Sequence, residues 1–551
     1  MGLDIRTEGR VSLPVYASAD GYVARIKVEP FGFGQAIYIS HPNGFTTVYA
    51  HLNEFFPALA KYVKQQQYKQ ESWKIMLELP PNLFPVKKGD LIAYSGNTGG
   101  SQGPHLHFEI RRTADDLNIN PMLFGLPIAD GTEPVIQRLA LYDGRVSVYD
   151  QVPKIYPVVK RNGTFTTGKD TILVSIPNLA LSIGAFDTQS NSQNPNGIFR
   201  ATLTDNAVLK ISFEMDAISY LYTRNVNGHV DYKTRILGGP WLQQLFVLPG
   251  LSHSIYRTLN GNGIIDLSDG RVHAVLIEVM DAYGNRSLLR QNFLFSNQRP
   301  QSENSSSGIF HPGMPGSMES GHCAFYLSEN CLYDSAHIDF SESDSHFPGS
   351  VSGLYSIGSN FIPLQDFLTV RIKPTRNLSD QQKKKVVIMR ISGGEREVQK
   401  ADWQNDWASG KFRDFGQFQL VIDSLPPIIL LGRQRSMTKK APSSVPPLAS
   451  PGNQKKLNKN IPTSVPPLAG RPNRRGMNIP SSQIIFKVAD NLKTIRNVRA
   501  TLDGKWLRFS NDKEKAFIYK MDEHWTPGKH ELKIMAEDEA GNVASVVFEV
   551  E

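Results

Sequence analysis

The segment Ser95–Arg111 (SGNTGGSQGPHLHFEIR) places the tightest constraint on what this chain can fold into. Apolar residues alternate with His105 and His107, so we predict a β-strand that carries both imidazoles on one face. Imidazole is a good zinc ligand, although two histidines in a strand are by themselves more common at a surface than in a metal site. The glycine-rich turn Gly96–Gly103 lets the backbone pass close to a neighbour. A phosphate-binding loop is excluded because no Gly-Lys-Ser/Thr follows the glycines.

Length and composition indicate several β-rich globular domains. At 551 residues the chain is too long for one core, and its 44 Gly and 35 Pro suit strands joined by many turns. It has no run of apolar residues long enough to span a membrane, and its first residues (MGLDIRTEGR) lack the apolar region of a signal peptide. Cys323 and Cys331 are too few for a disulfide framework, which leaves either one loop disulfide or two free thiols.

Most of the positive charge lies in one segment of low complexity. The formal net charge is +8, and residues 433–475 contain ten Lys and Arg and no Asp or Glu. Because the rest of the chain is close to neutral, this charge does not indicate a nucleic-acid-binding fold. The sequence SVPPLA occurs at Ser444 and again at Ser464. We predict that residues 433–480 are a disordered, Pro-rich, basic insertion.

Residues 1–128 alternate short strands and turns. Asp20-Gly21 and His41–Gly44 are turn sequences, each between two runs of strand-forming residues, and the second hairpin ends near His51. Residues 53–80 differ, because ALAKYVKQQQYKQ has helical spacing and no breaker. We predict an inserted helix or lid in that segment.

These residues contain a set of short motifs in a specific order. The motifs are GLD at Gly2–Asp4, ADGYV at Ala19–Val23, HPNGF at His41–Phe45, YAHL at Tyr49–Leu52, KKGD at Lys87–Asp90 and GNTG…HLHFE at Gly96–Glu109. Together they resemble the lysostaphin-type, LytM-like zinc metallopeptidases. Members of this family are murein endopeptidases with the duplicated-hybrid-motif β fold. The resemblance covers less than a quarter of the chain.

The resemblance implies roles for four residues. In the family, the Asp of a His-x-Gly-x-Asp motif and the second His of a His-x-His pair bind zinc, which implies that Asp4 and His107 are zinc ligands. The first His of that pair and the His that closes the Tyr-Ala-His strand act on the substrate, which implies that His105 and His51 are catalytic. The remaining ligand would stand one residue before Met1. We therefore expect the reading frame to continue upstream, with a His codon adjacent and a signal peptide further out.

The rest of the chain predicts three β-sandwich-like modules, so the expected fold is mainly β. Residues 130–297 and 322–425 have short alternating strands with frequent turns, and each range predicts one module. Residues 298–321 are rich in Ser, Gly and Pro, which predicts a linker. The last module, residues 426–551, would be split by the basic insertion, with one strand before it and the next strand after it.

Two of these modules end in the same short pattern. Asp281–Ser287 and Asp538–Ser545 both contain an Asp-x-x-Gly-Asn turn between two strands. The pattern resembles the closing hairpin of immunoglobulin-like modules of cell-surface proteins.

The predicted function is cell-wall remodelling by a zinc-dependent endopeptidase, with one Zn²⁺ per chain and the peptide part of peptidoglycan as substrate. The resemblance implies a periplasmic or extracellular location, where the basic insertion would bind anionic envelope polymers. With only Asp4 and His107 as ligands, we expect the chain from Met1 to be nearly inactive. The alternative is a catalytically degenerate domain that binds peptidoglycan or activates a separate hydrolase. A third class, an adhesin that acts through its β modules, has no positive signal in the sequence.

Overall fold

A computed structural model describes most of the chain. It covers residues 1–190, 192–251, 255–258, 261–296, 308–431 and 483–550. The described residues are mainly β, as predicted. Among them, no helix is both long and apolar enough to cross a membrane. The basic insertion predicted at residues 433–480 lies outside the described residues.

The amino-terminal domain consists of a large sheet, a small sheet and one helix. Its elements are β1 (Leu3–Arg6), β2 (Pro14–Tyr16), β3 (Gly21–Val28), β4 (Gln35–Ser40), β5 (Phe45–Ala50), β6 (Glu54–Phe55), α1 (Pro57–Gln70), β7 (Ile75–Glu78), β8 (Pro85–Val86), β9 (Leu91–Tyr94), β10 (His105–Arg112), β11 (Leu117–Ile119) and a 3₁₀ helix (Pro121–Phe124). The large sheet has the order β11-β10-β5-β4-β3-β7, and β1 pairs with β10 while β8 pairs with β3. The small sheet has the order β2-β9-β6.

The helix α1 occupies part of the segment predicted as an insertion or lid. Proline is favoured at the first position of a helix, where its missing N–H loses no bond, and Pro57 stands there. The helix ends at Gln70, and the next residue, Glu71, adopts a left-handed conformation with φ 48°. Leu59 and Val63 are buried in the domain's hydrophobic core. The helix is therefore part of the domain body.

Strand β10 is the centre of the domain, because β1 and β5 both pair with it in antiparallel register. Asp4 of β1 lies opposite His107, and Arg6 lies opposite His105. Ala50 of β5 also lies opposite His107, so His51 follows directly at the end of that strand. The pairing thus brings three distant parts of the sequence to one end of the sheet.

The second module contains two sheets and three short helical segments. Its elements are β12 (Val135–Asp143), β13 (Lys154–Pro157), β14 (Val159–Arg161), β15 (Thr164–Thr166), β16 (Thr171–Val174), β17 (Asn178–Phe186), β18 (Arg200–Asp205), β19 (Val208–Glu214), β20 (Ala217–Ile218), a 3₁₀ helix (Tyr220–Asn225), α2 (Val226–His229), α3 (Tyr232–Ile236), β21 (Gln243–Gln244), β22 (Tyr256–Thr258), β23 (Ile265–Asp266), β24 (His273–Met280) and β25 (Arg286–Phe295). One sheet has the order β13-β12-β17-β21 and the other β14-β15-β25-β24-β18-β19-β22. Strand β20 leaves the module and pairs with β11, which joins the module to the sheet of the first domain.

The third module begins earlier than the sequence predicted. Its elements are β26 (Ile309–Phe310), β27 (Gly316–Glu319), β28 (Cys323–Leu327), β29 (Ala336–His337), β30 (Phe340–Ser343), β31 (Leu354–Ile357), β32 (Leu368–Ile372), α4 (Asp380–Lys383), β33 (Val386–Ser392), β34 (Glu395–Lys400), β35 (Asp402–Gln404), β36 (Trp407–Phe412) and β37 (Gly416–Ile422). Strands β26 and β27 both lie within residues 298–321, so the linker prediction is wrong for the later part of that segment. The Ser, Gly and Pro content predicted a linker, but Phe310 in this segment packs on Phe325 and holds it against the module.

The second and third modules share one continuous hydrophobic core. At their contact, the Gly250 N–H donates to the Tyr333 carbonyl, and Arg224 donates to the Leu364 carbonyl and to Asp414. Cys323 and Cys331 are both buried in this core as free thiols. Of the two states that the sequence allowed, one loop disulfide or two free thiols, the structure has the second.

The last module returns to the first domain. Its elements are β38 (Ile428–Leu431), β39 (Gln483–Ala489), β40 (Ile495–Leu502), β41 (Lys505–Trp506), a 3₁₀ helix (Asp512–Glu514), β42 (Phe517–Lys520), β43 (His530–Asp538) and β44 (Val543–Val550). Strands β38 and β39 pair with each other across the insertion. The module docks on α1, where Lys64 pairs with Asp522 at 2.6 Å and Tyr68 stacks on His524 at 3.8 Å between ring centroids.

Candidate metal and catalytic centre

The four residues singled out in the sequence meet at the end of β10. The His107 Nδ1 atom lies 2.7 Å from Asp4 Oδ1, and the His105 Nε2 atom lies 3.5 Å from the same oxygen. The His51 ring centroid is 4.8 Å from that of His105 and 5.8 Å from that of His107. One ring nitrogen from each histidine lies within 4.8 Å of the others. Both imidazoles of the strand are on one face, as the alternation predicted.

The glycine-rich turn holds His51 in place. His51 adopts a left-handed backbone conformation with φ 59°, which is uncommon for a residue with a side chain. Its Nδ1–H donates to the Thr98 carbonyl at 2.8 Å, so its Nε2 is free to face the other histidines. The turn can reach His51 because Gly99 packs against Gly34, where an added Cβ would come within 2.3 Å of the Gly34 nitrogen. Burial lowers the pKa of His51, and His105 and His107 act in the same direction.

His107 is fixed by a buried carboxylate. Its Nε2–H donates to Glu109 at 2.9 Å, which leaves Nδ1 directed at Asp4. Burial opposes the charged imidazole, but the hydrogen bonds to Glu109 and Asp4 outweigh it and raise the pKa of His107. A carboxylate on the distal nitrogen of a metal-binding histidine fixes its tautomer and makes it a stronger ligand.

Glu109 belongs to a buried network that the sequence analysis did not identify. Arg111 donates to it through Nε at 2.8 Å and Nη2 at 2.7 Å, and the Tyr220 hydroxyl also donates to it. Arg111 in turn lies under the Tyr220 ring, 4.5 Å from its centroid. Glu109 and Arg111 follow His107 at intervals of two residues in β10, so they lie on the same face of the strand. The sequence alternation could have identified them. Tyr220 belongs to the second module, and nothing in the sequence connects it to this strand.

His105 is oriented by the turn that precedes it. Its Nδ1–H donates to the Gly103 carbonyl at 2.9 Å, and the Ser101 hydroxyl donates to the same carbonyl at 2.6 Å. The His105 Nε2 atom therefore faces the site.

The last module also contacts this turn. Lys513 Nζ donates to the Ser101 carbonyl at 2.6 Å, and Asp512 accepts the Gly99 N–H at 2.8 Å. Lys513 also donates its backbone N–H to the Pro30 carbonyl at 2.8 Å. The turn that orients two histidines is thus held from outside the domain.

The donor set fits a zinc ion. Zinc takes imidazole nitrogen and carboxylate oxygen, and a catalytic zinc site combines such ligands with an open position. Here three imidazoles converge, and the Asp4 carboxylate lies beside those of His105 and His107. His107 already has the second carboxylate partner, Glu109, that metal-binding histidines use.

Comparison with known proteins assigns this domain to a family. Residues 1–68 and 84–121 match Peptidase family M23. The amino-terminal domain is an M23 peptidase domain. The interruption in the match falls between residues 68 and 84, in the region of the carboxyl end of α1 and of β7. Residues 309–423 match a Zu5-like domain, which corresponds to the third module.

The M23 domain has relatives among characterised proteins. The chain is 34% identical over 120 residues to the DD-carboxypeptidase/endopeptidase Mpg of Neisseria meningitidis serogroup B, covering 22% of each chain. It is 31% identical over 119 residues to the peptidoglycan DD-endopeptidase ShyA of Vibrio cholerae, also covering 22% of each chain. A solved zinc-containing peptidase from Vibrio cholerae is 27% identical, with 20% of this chain and 26% of that chain covered and a TM-score of 0.15. The chain spans about a fifth of the length of the curated relatives it matches.

Proposed function

We propose that this chain is a zinc-dependent endopeptidase that hydrolyses peptide bonds of peptidoglycan. The observation that carries the proposal is the convergence of Asp4, His51, His105 and His107 at the end of β10. The M23 assignment and the relatives named as peptidoglycan DD-endopeptidases support the substrate class. Such an enzyme would act in the periplasm or outside the cell.

Asp4 and His107 are the proposed metal ligands. His107 presents Nδ1 beside the Asp4 carboxylate, and Glu109 holds the opposite ring nitrogen, so the two donors face the same point. When bound, zinc would polarise the scissile carbonyl and lower the pKa of its bound water to about 7. The Asp4 carboxylate would offset one of the two positive charges of the ion.

His51 and His105 are the proposed catalytic residues. Both rings donate Nδ1–H to a backbone carbonyl, which assigns the lone pair to Nε2 on the side facing the site. The lowered pKa of His51 keeps its ring neutral near pH 7, so it can accept a proton from the attacking water. A proton held on Nε2 can then be transferred to the leaving amine, or the Nε2–H group can donate a hydrogen bond to the oxyanion of the tetrahedral intermediate.

The β modules and the basic insertion are proposed to position the M23 domain on its polymeric substrate. The second module is joined to the M23 sheet through β20, and the last module docks on α1 and on the glycine-rich turn. The ten basic residues of the insertion supply a charge that anionic envelope polymers would bind.

The division of roles is tested with two variants. The Met1 carbonyl accepts a hydrogen bond from the Asn118 side chain, and a Cβ added at Gly2 would lie 2.6 Å from the His107 ring, so a residue added before Met1 would begin beside the site. Catalytic zinc takes three protein ligands, so the test uses the full chain with one histidine added there. His105→Ala should keep its zinc by metal analysis and lose muropeptide cleavage, whereas His107→Ala should lose both. Equal zinc loss in the two variants would contradict the assignment of roles.

A further inference from the structure

Two clusters of three aspartates lie away from the M23 site. The clusters are Asp130, Asp187 and Asp281 in the second module, and Asp423, Asp490 and Asp538 in the last module. In each cluster one carboxylate oxygen per residue lies within 4.8 Å of the others. The first residue of each cluster precedes the first strand of its module, so both clusters are at junctions between domains.

The first cluster is built around the turn that closes the second module. Asp281 Oδ1 accepts the Asn285 N–H at 2.9 Å, and Asp281 Oδ2 accepts from the Asn285 side chain at 2.7 Å. The same Asn285 amide donates to the Asp130 carbonyl at 3.3 Å. Asp130 Oδ1 accepts the Ser190 N–H at 3.1 Å, which brings the segment after Asp187 to the junction.

The second cluster repeats this arrangement bond for bond at the closing turn. Asp538 Oδ1 accepts the Asn542 N–H at 2.8 Å, and Asp538 Oδ2 accepts from the Asn542 side chain at 2.8 Å. The Asn542 amide donates to the Asp423 carbonyl at 2.9 Å. Asp423 Oδ1 accepts from the Asn491 side chain at 3.1 Å, next to Asp490. Two modules of unrelated length thus build the same group of carboxylates at the same place.

Both clusters contain buried carboxylate oxygens without a hydrogen bond. Asp187 is 6% exposed and its Oδ1 has no partner, and Asp423 is 2% exposed and its Oδ2 has no partner. Asp490 Oδ1 is also buried and unpartnered. Burial, together with the nearby Asp130 and Asp281 carboxylates, raises the pKa of Asp187 to about 6. A buried anion left in this state is strongly unfavourable unless a cation or a hydrogen-bond donor compensates its charge.

No side chain supplies that cation within the described ranges. Among the residues that the structure covers, no Lys, Arg or His forms an ion pair with any of the six aspartates. A third group, Asp522, Glu523 and His524, differs, because Lys64 pairs with both of its carboxylates at 2.6 Å. The two aspartate clusters therefore lack the protein partner that the other acidic group has.

We propose that each aspartate cluster binds one calcium ion, which fixes the junction in front of the second module and the junction in front of the last module. Calcium binds carboxylate oxygens at about 2.3–2.6 Å, so two oxygens bound to one ion are at most about 5 Å apart. The three oxygens of each cluster lie within 4.8 Å of one another and meet that limit. Zinc prefers nitrogen or sulfur donors, and neither cluster has any. Magnesium requires a near-ideal octahedron and retains its waters, which suits a cluster of three carboxylates less well.

Calcium titration of the full chain tests the proposal. Isothermal titration calorimetry with CaCl₂ should give two ions per chain, with dissociation constants of about 10⁻⁴–10⁻³ M or tighter, as in extracellular modules. Asp187→Asn and Asp423→Asn should each reduce the stoichiometry from two to one, and the double variant should bind none. Asp334→Asn is the matched control, because Asp334 is also a buried acid but accepts the Val148 and Ser335 N–H groups and belongs to neither cluster. It should still bind two ions.

Thermal unfolding gives a second readout on the same samples. Calcium should raise the melting temperature of the wild-type chain, and magnesium at equal concentration should raise it less. Without calcium, Asp187→Asn and Asp423→Asn should melt no lower than wild type, because each removes one repelling charge. A wild-type chain that takes up no calcium and does not melt higher in its presence would overturn the proposal. Calcium uptake that is unchanged in the double variant would overturn it equally.

Discussion

Glu109→Gln should weaken zinc binding without changing any atom that contacts the metal. Glu109 is completely buried, and it accepts hydrogen bonds from His107 Nε2 at 2.9 Å and from Arg111 at 2.7 Å. Glutamine keeps the shape of the side chain but loses the charge that strengthens His107 as a ligand. Loss of such a supporting carboxylate typically lowers metal affinity by about 10–100-fold. At about 1.4 kcal/mol for each tenfold change, this corresponds to about 1.4–2.8 kcal/mol of binding free energy.

The same substitution should also lower the stability of the M23 domain, but by less than the loss of a whole buried ion pair. Removing one partner of a buried pair typically destabilises a protein by about 3–5 kcal/mol. Arg111 remains paired with Asp116 at 2.9 Å. The free energy of unfolding should therefore fall by about 1.5–3 kcal/mol, the contribution of a hydrogen bond to a charged group. Tyr220→Phe removes one bond to Glu109 and keeps its charge, so it should weaken zinc binding less than Glu109→Gln does.

Competition with a chromophoric chelator measures the zinc affinity of three proteins: the unsubstituted chain, Glu109→Gln and Tyr220→Phe. Each carries one histidine added before Met1. Circular dichroism on the same samples shows that each is folded at the temperature of the titration. If the folded Glu109→Gln protein binds zinc as tightly as the protein with Glu109 does, the Glu109 carboxylate does not strengthen His107 as a ligand, and the prediction is wrong. The same holds if Tyr220→Phe is the weaker binder of the two.

Three further predictions concern other parts of the chain. Binding to isolated cell envelopes should weaken with added salt, and deletion of residues 433–480 should remove that dependence, since exposed charges are screened by ions. Lys513→Ala should lower peptide cleavage severalfold at unchanged zinc content, because Lys513 holds the glycine-rich turn, whereas Lys520→Ala on the same module should have no effect. Burial raises the pKa of Cys323 and of Cys331 to about 12, so neither thiol should react with Ellman's reagent at pH 8 until the protein is unfolded; rapid reaction of the native chain would contradict their burial.

The site could be predicted from sequence wherever its geometry follows from a strand. Alternation placed His105 and His107 on one face, and the family motifs added Asp4 and His51, which the structure brings to the same point. Their roles in metal binding and catalysis stay predictions. The same alternation extends to Glu109, which could have been found by following the strand for two more residues.

Contacts between modules could not be predicted, because they depend on how separate folds dock. Tyr220 reaches Glu109 only because β20 joins the sheet of another domain, and Lys513 reaches the glycine-rich turn from the last module. The closing turns at Asp281 and Asp538 were visible as a repeated pattern. Their partners at the domain junctions come from other loops and have no shared motif.

The linker prediction was wrong because pairing with neighbouring strands can order a segment whose composition is typical of a flexible connection. Residues 298–321 have the composition of a flexible connection, but two short strands lie within it. Strand β27 pairs with β28, and Phe310 packs on Phe325, so backbone pairing and one aromatic contact outweigh the local preference of Ser, Gly and Pro. In contrast, the pairing of β38 with β39 across the insertion follows the predicted order of strands.

Mass spectrometry of digested peptidoglycan tests the central claim most directly. Purified sacculi are incubated with the full chain carrying one histidine before Met1, with and without the zinc chelator 1,10-phenanthroline. We predict new muropeptides in which one water has been added across a peptide bond, their loss with the chelator, and their return when zinc is restored. A zinc-loaded chain that binds the sacculi and leaves every peptide bond intact would contradict the claim, and would indicate a binding or activating domain instead of an enzyme.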